Sequence, residues 1–155
     1  ASTSGTTLTT CTTATIQSNL TNAGSSTTTA TIENTAITWG SVATPCNPYA
    51  ETTTTLGKFK IEADGDNGNG EFYADAEIEI TVHVPAFLGG PCIYKIPDGR
   101  TIGTWDESIQ ELTVNAIIDR TQTGTHPCVF GTATNVWTAT FAKTSPSTTL
   151  WIATS

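Results

Sequence analysis

The sequence predicts an all-β chain folded as a single antiparallel β-sandwich of about eight or nine strands. Three observations lead there. Apolar and polar residues alternate with period two over long stretches, above all in residues 71–84, EFYADAEIEITVHV. The β-branched residues are heavily used, with 35 Thr and 13 Ile in 155 residues, and such side chains suit a pleated, half-buried surface. Turn-forming clusters recur at short intervals, at 22–25, 45–48, 89–91, 97–99 and 145–147.

Taken in order, the first expected strand covers 7–16, after a flexible lead at 2–5. Period two places Leu8, Thr10, Thr12, Ala14 and Ile16 on one face. Strands at 27–33 and 36–42 follow. In 56–63, Phe59, Ile61 and Ala63 point inward, and Lys58, Lys60 and Glu62 point outward. The connection 64–70, DGDNGNG, is a hairpin loop rich in residues that tolerate positive φ. In 71–84 the inward face is Phe72, Ala74, Ala76, Ile78, Ile80, Val82 and Val84, and the stretch is long enough to bend from one sheet into a second. Across the hairpin, Lys58 and Lys60 are expected to face the carboxylates of 75–79. Further strands are expected at 92–96, 112–119, 129–142 and 149–153. Only 105–112, WDESIQEL, reads as a helix, of about two turns. This count and spacing of short strands is the pattern of an immunoglobulin-like sandwich. The chain divides into an extended N-terminal segment, 1–16, and a sandwich domain, 17–155.

The core is thin. Leu, Ile, Val and Phe number 30 of 155 residues, near the lower edge for a folded domain. Four cysteines compensate: Cys11, Cys46, Cys92 and Cys128. They contain no CxxC pair and no neighbouring His set for zinc, so two disulfides are expected, in an oxidising compartment. Three pairings exist. Cys11–Cys46 with Cys92–Cys128 is favoured because it closes two loops of similar length, each worth roughly 3–4 kcal/mol in the chain-entropy model. The sequence opens Ala-Ser-Thr and has no Met, which leads to the expectation of a cleaved secretory signal and an extracellular location.

Charge excludes some partners. The net charge is −8 with six Lys and Arg, against nucleic acid, whose phosphates require basic residues, and against docking on an anionic membrane surface. No apolar run approaches the roughly 20 residues of a spanning helix. Residues 1–57 hold no Lys or Arg and only Glu33 and Glu51 as acids, whereas 62–79 hold seven of the fourteen. A first third so poor in charge stays soluble through hydroxyls, through glycans, or by being covered by neighbouring subunits.

Catalytic patterns are missing, and no enzyme is expected. His83 and His126 are the histidines, and no GxSxG elbow accompanies them. Glu77 and Glu79 lie on one strand face at a glycosidase-like spacing, but pairing with Lys58 and Lys60 explains them more simply. Oxygen-bearing side chains crowd the loop after Ala63. Asp64, Asp66, Asn69 and Glu71 are candidate calcium ligands there, although Gly68 stands where an EF-hand-type register needs its third oxygen. Asn19-Leu20-Thr21 is an N-glycosylation sequon beside a turn. Trp39, Trp105, Trp137 and Trp151 would serve a sugar-binding platform, against the commoner use of Trp as core.

An acidic, Thr-rich, twice-disulfide-bonded β-sandwich resembles secreted bacterial surface proteins. It is similar in style to the subunits of extracellular filaments and pili that polymerise by strand exchange. The resemblance is architectural and spans the chain. It implies an extracellular structural protein whose partners are copies of itself, assembled head to tail, with the segment 7–16 as donor strand. Cys11 lies inside that segment, so a bridge to Cys46 ties the donor to its own domain or links two subunits. The alternative is a secreted, monomeric carbohydrate-binding module.

Overall fold

The computed structural model describes residues 2–3, 6–7, 9–11, 14–21, 29–39, 46–49, 51–55, 58–63, 68–121, 128 and 134–144. Among them are twelve strands: β1 (Ser2–Thr3), β2 (Thr6–Thr7), β3 (Ala14–Thr21), β4 (Thr29–Trp39), β5 (Glu51–Thr55), β6 (Lys58–Ala63), β7 (Gly70–Ala74), β8 (Ile78–Val82), β9 (Cys92–Ile96), β10 (Thr101–Asp106), β11 (Glu111–Arg120) and β12 (Thr134–Ala142). One 3-10 turn, Ala86–Leu88, is the helical element of the described residues. Every strand pairing is antiparallel, and the strands form one curled, branched sheet ordered β2-β1-β12-β11-β10-β7-β6-β4-β3, with β5-β8-β9 joining at β11.

The alternation read in 71–84 explains the branching. Phe72, Ala74, Ile78, Ile80, Val82 and Val84 are buried, while Glu71, Asp75 and Glu77 are exposed. The chain bends at residues 75–77. Before the bend, β7 lies between β6 and β10; after it, β8 lies between β5 and β9. One apolar face thus serves both branches. The ten-residue β11 repeats the device: Leu112, Val114, Ala116 and Ile118 are buried, and Thr113, Asn115 and Ile117 are exposed. One of its edges pairs with β12 from Glu111 to Asp119. The other meets β10 at its start and β9 at Asp119 and Arg120. A single core fills the curl, with Phe59 edge-on to Phe72 at 6.4 Å between ring centroids. At Gly103 the neighbouring strand is so close that a Cβ would lie 2.1 Å from the Thr113 carbonyl oxygen.

Both disulfides join the cysteines of similar loop length, Cys11–Cys46 at a separation of 35 residues and Cys92–Cys128 at 36. The described cysteines leave no free thiol.

Several expectations need correcting. Residues 105–112 form no helix: Trp105 and Asp106 end β10, Glu111 and Leu112 begin β11, and they face each other across a hairpin. Asp106 Oδ1 accepts hydrogen bonds from the Ser108 amide and hydroxyl at 2.9 and 2.6 Å, a local turn that outcompetes an eight-residue helix with a costly nucleus. The expected pairing of Lys60 with residues 75–79 gives way to another partner, and the side chain of Lys58 lies outside the described residues. Lys60 stands opposite Tyr73, and Lys95 of β9 lies 2.6 Å from Glu77 and 3.7 Å from Glu79, because the chain leaves β6 at the bend. The strands expected at 27–33 and 36–42 are one, β4, with a register shift opposite Gln17 and Ser18. The strand expected at 149–153 lies outside the described residues.

Candidate functional site

Strand β12 lies between β1 and β11 near one end of the described sheet. Its inner edge is paired with β11 at nine positions from Ala142 to Thr134. Its outer edge is met, among the described residues, at Ser2↔Val136 by the two-residue β1. Ser2 and Thr3 then fold back on Thr7 and Thr6. Among the described residues the two of β1 therefore meet a small part of a strand about 30 Å long, at roughly 3.3 Å per residue.

The segment is anchored just beyond. Thr9 is buried and its hydroxyl donates to the Tyr49 carbonyl at 2.5 Å. Thr10 and Asn47 exchange backbone hydrogen bonds at 2.9 Å, and Cys11 is bonded to Cys46. Of the residues expected on the assembly face, Thr10 is exposed at this anchor, and Ala14 and Ile16 are half-buried in β3, opposite Trp39 and Ile37. Ile16 packs against the core. Leu8 and Thr12 lie outside the described residues. Strand β3 runs through position 16 without interruption to Thr21, carrying Asn19 opposite Glu33.

A second feature is an acidic groove of about 480 Å³ across β6, β7 and β10, lined by Glu62, Glu71, Thr104, Asp106, Asn69 and Trp105 among others. Register assembles it: Glu71 stands opposite Glu62 on one side and Thr104 on the other, and Gly70 stands opposite Trp105. The Tyr73 hydroxyl donates to Glu71 Oε2. That hydrogen bond, then partial desolvation and the charges of Glu71 and Glu62, push the Tyr73 pKa up to about 12. The Ser108 hydrogen bonds hold the Asp106 carboxyl below its usual range.

Of the calcium candidates, Asp64 and Asp66 lie outside the described residues. Asn69 Oδ1 accepts from the Glu107 amide at 2.8 Å, and Glu71 holds Tyr73. The described residues bring together no group of three His, Cys, Asp or Glu fit for a metal ion. Glu77 and Glu79 share Lys95, whose pKa rises mainly through the Glu77 hydrogen bond. Trp105 and Trp137 are 5% and 2% exposed and belong to the core. Sequence reading missed Thr104 and Asp106 because a bulge between Thr101 and Gly103 breaks the alternation of β10. The buried Ile102 followed by Trp105 was the remaining signal.

Fold and site together define a disulfide-bonded, antiparallel, all-β protein whose described residues include no helix long and apolar enough to cross a membrane. Two disulfides fit an oxidising environment. No family model, no curated protein and no solved structure matches the chain.

Proposed function

We propose that this is an extracellular structural protein, a sandwich of immunoglobulin-like type that self-assembles head to tail by donor-strand contacts. The observation that supports the reading is the short join of the two-residue β1 to β12, which among the described residues runs through the pair Ser2↔Val136. Main-chain hydrogen bonds along an edge are strong and need no particular side chain, so a longer strand from a second copy outcompetes a two-residue one. Thr9, Thr10 and Cys11 fix the point at which the segment leaves its own subunit. The donor is therefore the chain before Thr9, and Ala14 and Ile16 stay in their own sheet. Contact between different surfaces of successive copies does not close, and gives a filament.

Removing residues 1–7 tests this. The full chain is expected to form filaments under negative-stain electron microscopy, and the shortened one is expected to remain folded by circular dichroism without forming them. Filaments from the shortened chain would overturn the donor-strand account.

A glycan-binding module is the second reading, favoured by the polar lining of the Glu62–Glu71–Asp106 groove. Trp105 and Trp137 offer it no exposed stacking face. Titration of soluble oligosaccharides against the monomer, read by calorimetry, separates the two.

A further inference from the structure

Buried polar atoms without a hydrogen-bond partner are costly, and native proteins keep few of them. Among the described residues four such side-chain atoms occur, and three of them belong to one pair of residues, Tyr94 and Asn135. They are the Tyr94 hydroxyl and both polar atoms of the Asn135 amide. The two residues are 0% and 2% exposed, so bulk solvent does not satisfy them.

Register brings the pair together. Strand β9 turns Cys92, Tyr94 and Ile96 inward, and β12 turns Asn135 and Trp137 inward. They pair with opposite edges of β11: Asn135 stands opposite Ile118, and Tyr94 opposite Arg120. Ile118 and Arg120 are two residues apart and share a face, so Tyr94 and Asn135 flank the same stretch of core. Burial pushes the Tyr94 phenol above its ordinary pKa, and the Arg120 charge and the Asn135 side chain oppose that shift. The amide therefore stands close to the phenol, yet no hydrogen bond joins them. The surroundings are fixed. Arg120 Nη1 donates to the Cys128 carbonyl at 2.9 Å, and Cys128 is bonded to Cys92, two residues before Tyr94. Rotating either side chain out to solvent would open the core beside that bridge.

We propose that Tyr94 and Asn135 form a binding site for an internal water molecule, which bridges β9 and β12 across β11. Donor and acceptor chemistry selects that ligand. The amide presents an acceptor oxygen and a donor nitrogen whichever way it is turned, and the phenol both donates and accepts. Water donates two hydrogen bonds and accepts two, so it completes all three atoms, and an enclosed water typically makes about three such bonds. A halide would take the phenol and the amide nitrogen, and the Arg120 charge would favour it, but it leaves the amide oxygen without a donor. A metal cation leaves the amide nitrogen without an acceptor and is repelled by Arg120. Among the described residues β9 and β12 do not pair with each other, so the water joins two strands that the backbone ladder leaves apart. The site does not depend on the assembly proposed above.

Two measurements on the full chain test this. A crystal structure of the parent is expected to show a water oxygen within hydrogen-bond distance of the Tyr94 hydroxyl and of the Asn135 amide. A direct hydrogen bond between the two side chains, with no density beside them, would overturn the site. An anomalous peak there after chloride is replaced by bromide would also overturn it, by assigning the position to an anion. In solution, oxygen-17 relaxation dispersion registers water oxygens held inside a protein and is blind to exchanging hydroxyl protons. Tyr94→Phe is expected to lose one long-lived water relative to the parent. The control Tyr73→Phe removes an exposed hydroxyl that donates to Glu71 and is expected to lose none. Equal long-lived water in the parent and in a Tyr94→Phe variant folded by circular dichroism would overturn the proposal. The crystallographic outcome needs only the parent chain.

Discussion

Removing the Cys92–Cys128 bridge by the double change Cys92→Ala, Cys128→Ala tests what holds this thin-cored chain together. The bridge closes a separation of 36 residues. The loss of chain entropy in the unfolded state then contributes about 4 kcal/mol at 25 °C. Cys92 and Cys128 are 0% and 3% exposed, so deleting two buried sulfurs adds roughly 1 kcal/mol of lost packing. The matching double change at Cys11 and Cys46 removes a loop of 35 residues and so the same entropy, again about 4 kcal/mol. Its sulfurs are less deeply placed, since Cys11 is half-buried. The expected order is therefore a loss of about 5 kcal/mol for the first variant and about 4 for the second, or about 8–20 °C in midpoint for a chain of this size. Urea unfolding followed by tryptophan fluorescence gives both values, and the slope should rise in each variant as the unfolded chain expands. A loss below about 1 kcal/mol for the Cys92–Cys128 variant would refute the loop-closure reasoning, as would a reversed order by more than that amount.

Other outcomes follow from single positions. Ile118→Ala, at 0% exposure, is expected to cost about 2–4 kcal/mol in chemical unfolding, and its neighbour Ile117→Ala, half exposed, under about 1; near-equal costs would contradict the alternation of β11. Gly103→Ala drives a Cβ to 2.1 Å from Thr113 O and is expected to cost at least about 2 kcal/mol, whereas Gly99→Ala meets open space at a φ of +79° and should cost about 1. Ultraviolet titration is expected to show Tyr73 ionising near pH 12 rather than at its ordinary 10.0, and Glu71→Gln should move it back toward that value. Because the folded state favours the neutral phenol, this group's contribution to stability is complete below pH 10 and lost as pH rises through about 12; a pH profile unchanged by Glu71→Gln would refute it.

Residues 92–96 were readable as a strand to the residue, and 112–119 within one residue at each end, because both alternate cleanly and are bounded by turn or polar signals. The bend at 75–77 was legible only as a length too great for one sheet. Three strands escaped, β1 among them, since Ser2 and Thr3 pair where a flexible lead was expected at 2–5. The Thr run of β5 has no alternation to read, and the bulge in β10 puts Ile102 and Gly103 both inside. The helix expected at 105–112 failed because nothing local announced that Asp106 would tie the turn to Ser108. The acidic groove was out of reach of sequence altogether. Glu62 and Glu71 come together across a hairpin whose register a sequence leaves open, and Asp106 arrives from a strand thirty-odd residues later. The Lys95 partner of Glu77 was hidden in the same way, behind the choice of which strand lies next to β8.

The distribution of charge over the strands bears on assembly more directly than any one contact. Among the described residues the strands that end the sheet are β2, β3 and β5, and Glu51 is the one charged residue in their sequences, TT, ATIQSNLT and ETTTT. None contains Pro or Lys, although β5 carries a bulge between Thr53 and Thr55, which is itself one way of guarding an edge. The partly covered β12 is likewise uncharged, TNVWTATFA. Three of the four lysines sit in the interior strands β6 and β9, while Lys143 directly follows β12, and the carboxylates Glu62, Glu71, Glu79, Asp106 and Asp119 lie on strands with two neighbours. A β-protein selected to remain alone places charge the other way, guarding its edges with Lys, Pro or bulges and leaving the middle strands free of it. An edge strand that is to be covered by another copy gains nothing from such a guard, because each charge would have to be desolvated on contact. Thr meets both demands: its branched side chain suits the pleat of a growing sheet, and its hydroxyl keeps the unassembled edge wetted. The nearly uncharged end strands, and the hold of β1 on β12 through Ser2↔Val136 among the described residues, fit the assembly proposed above, in which a second acidic copy approaches without burying a carboxylate.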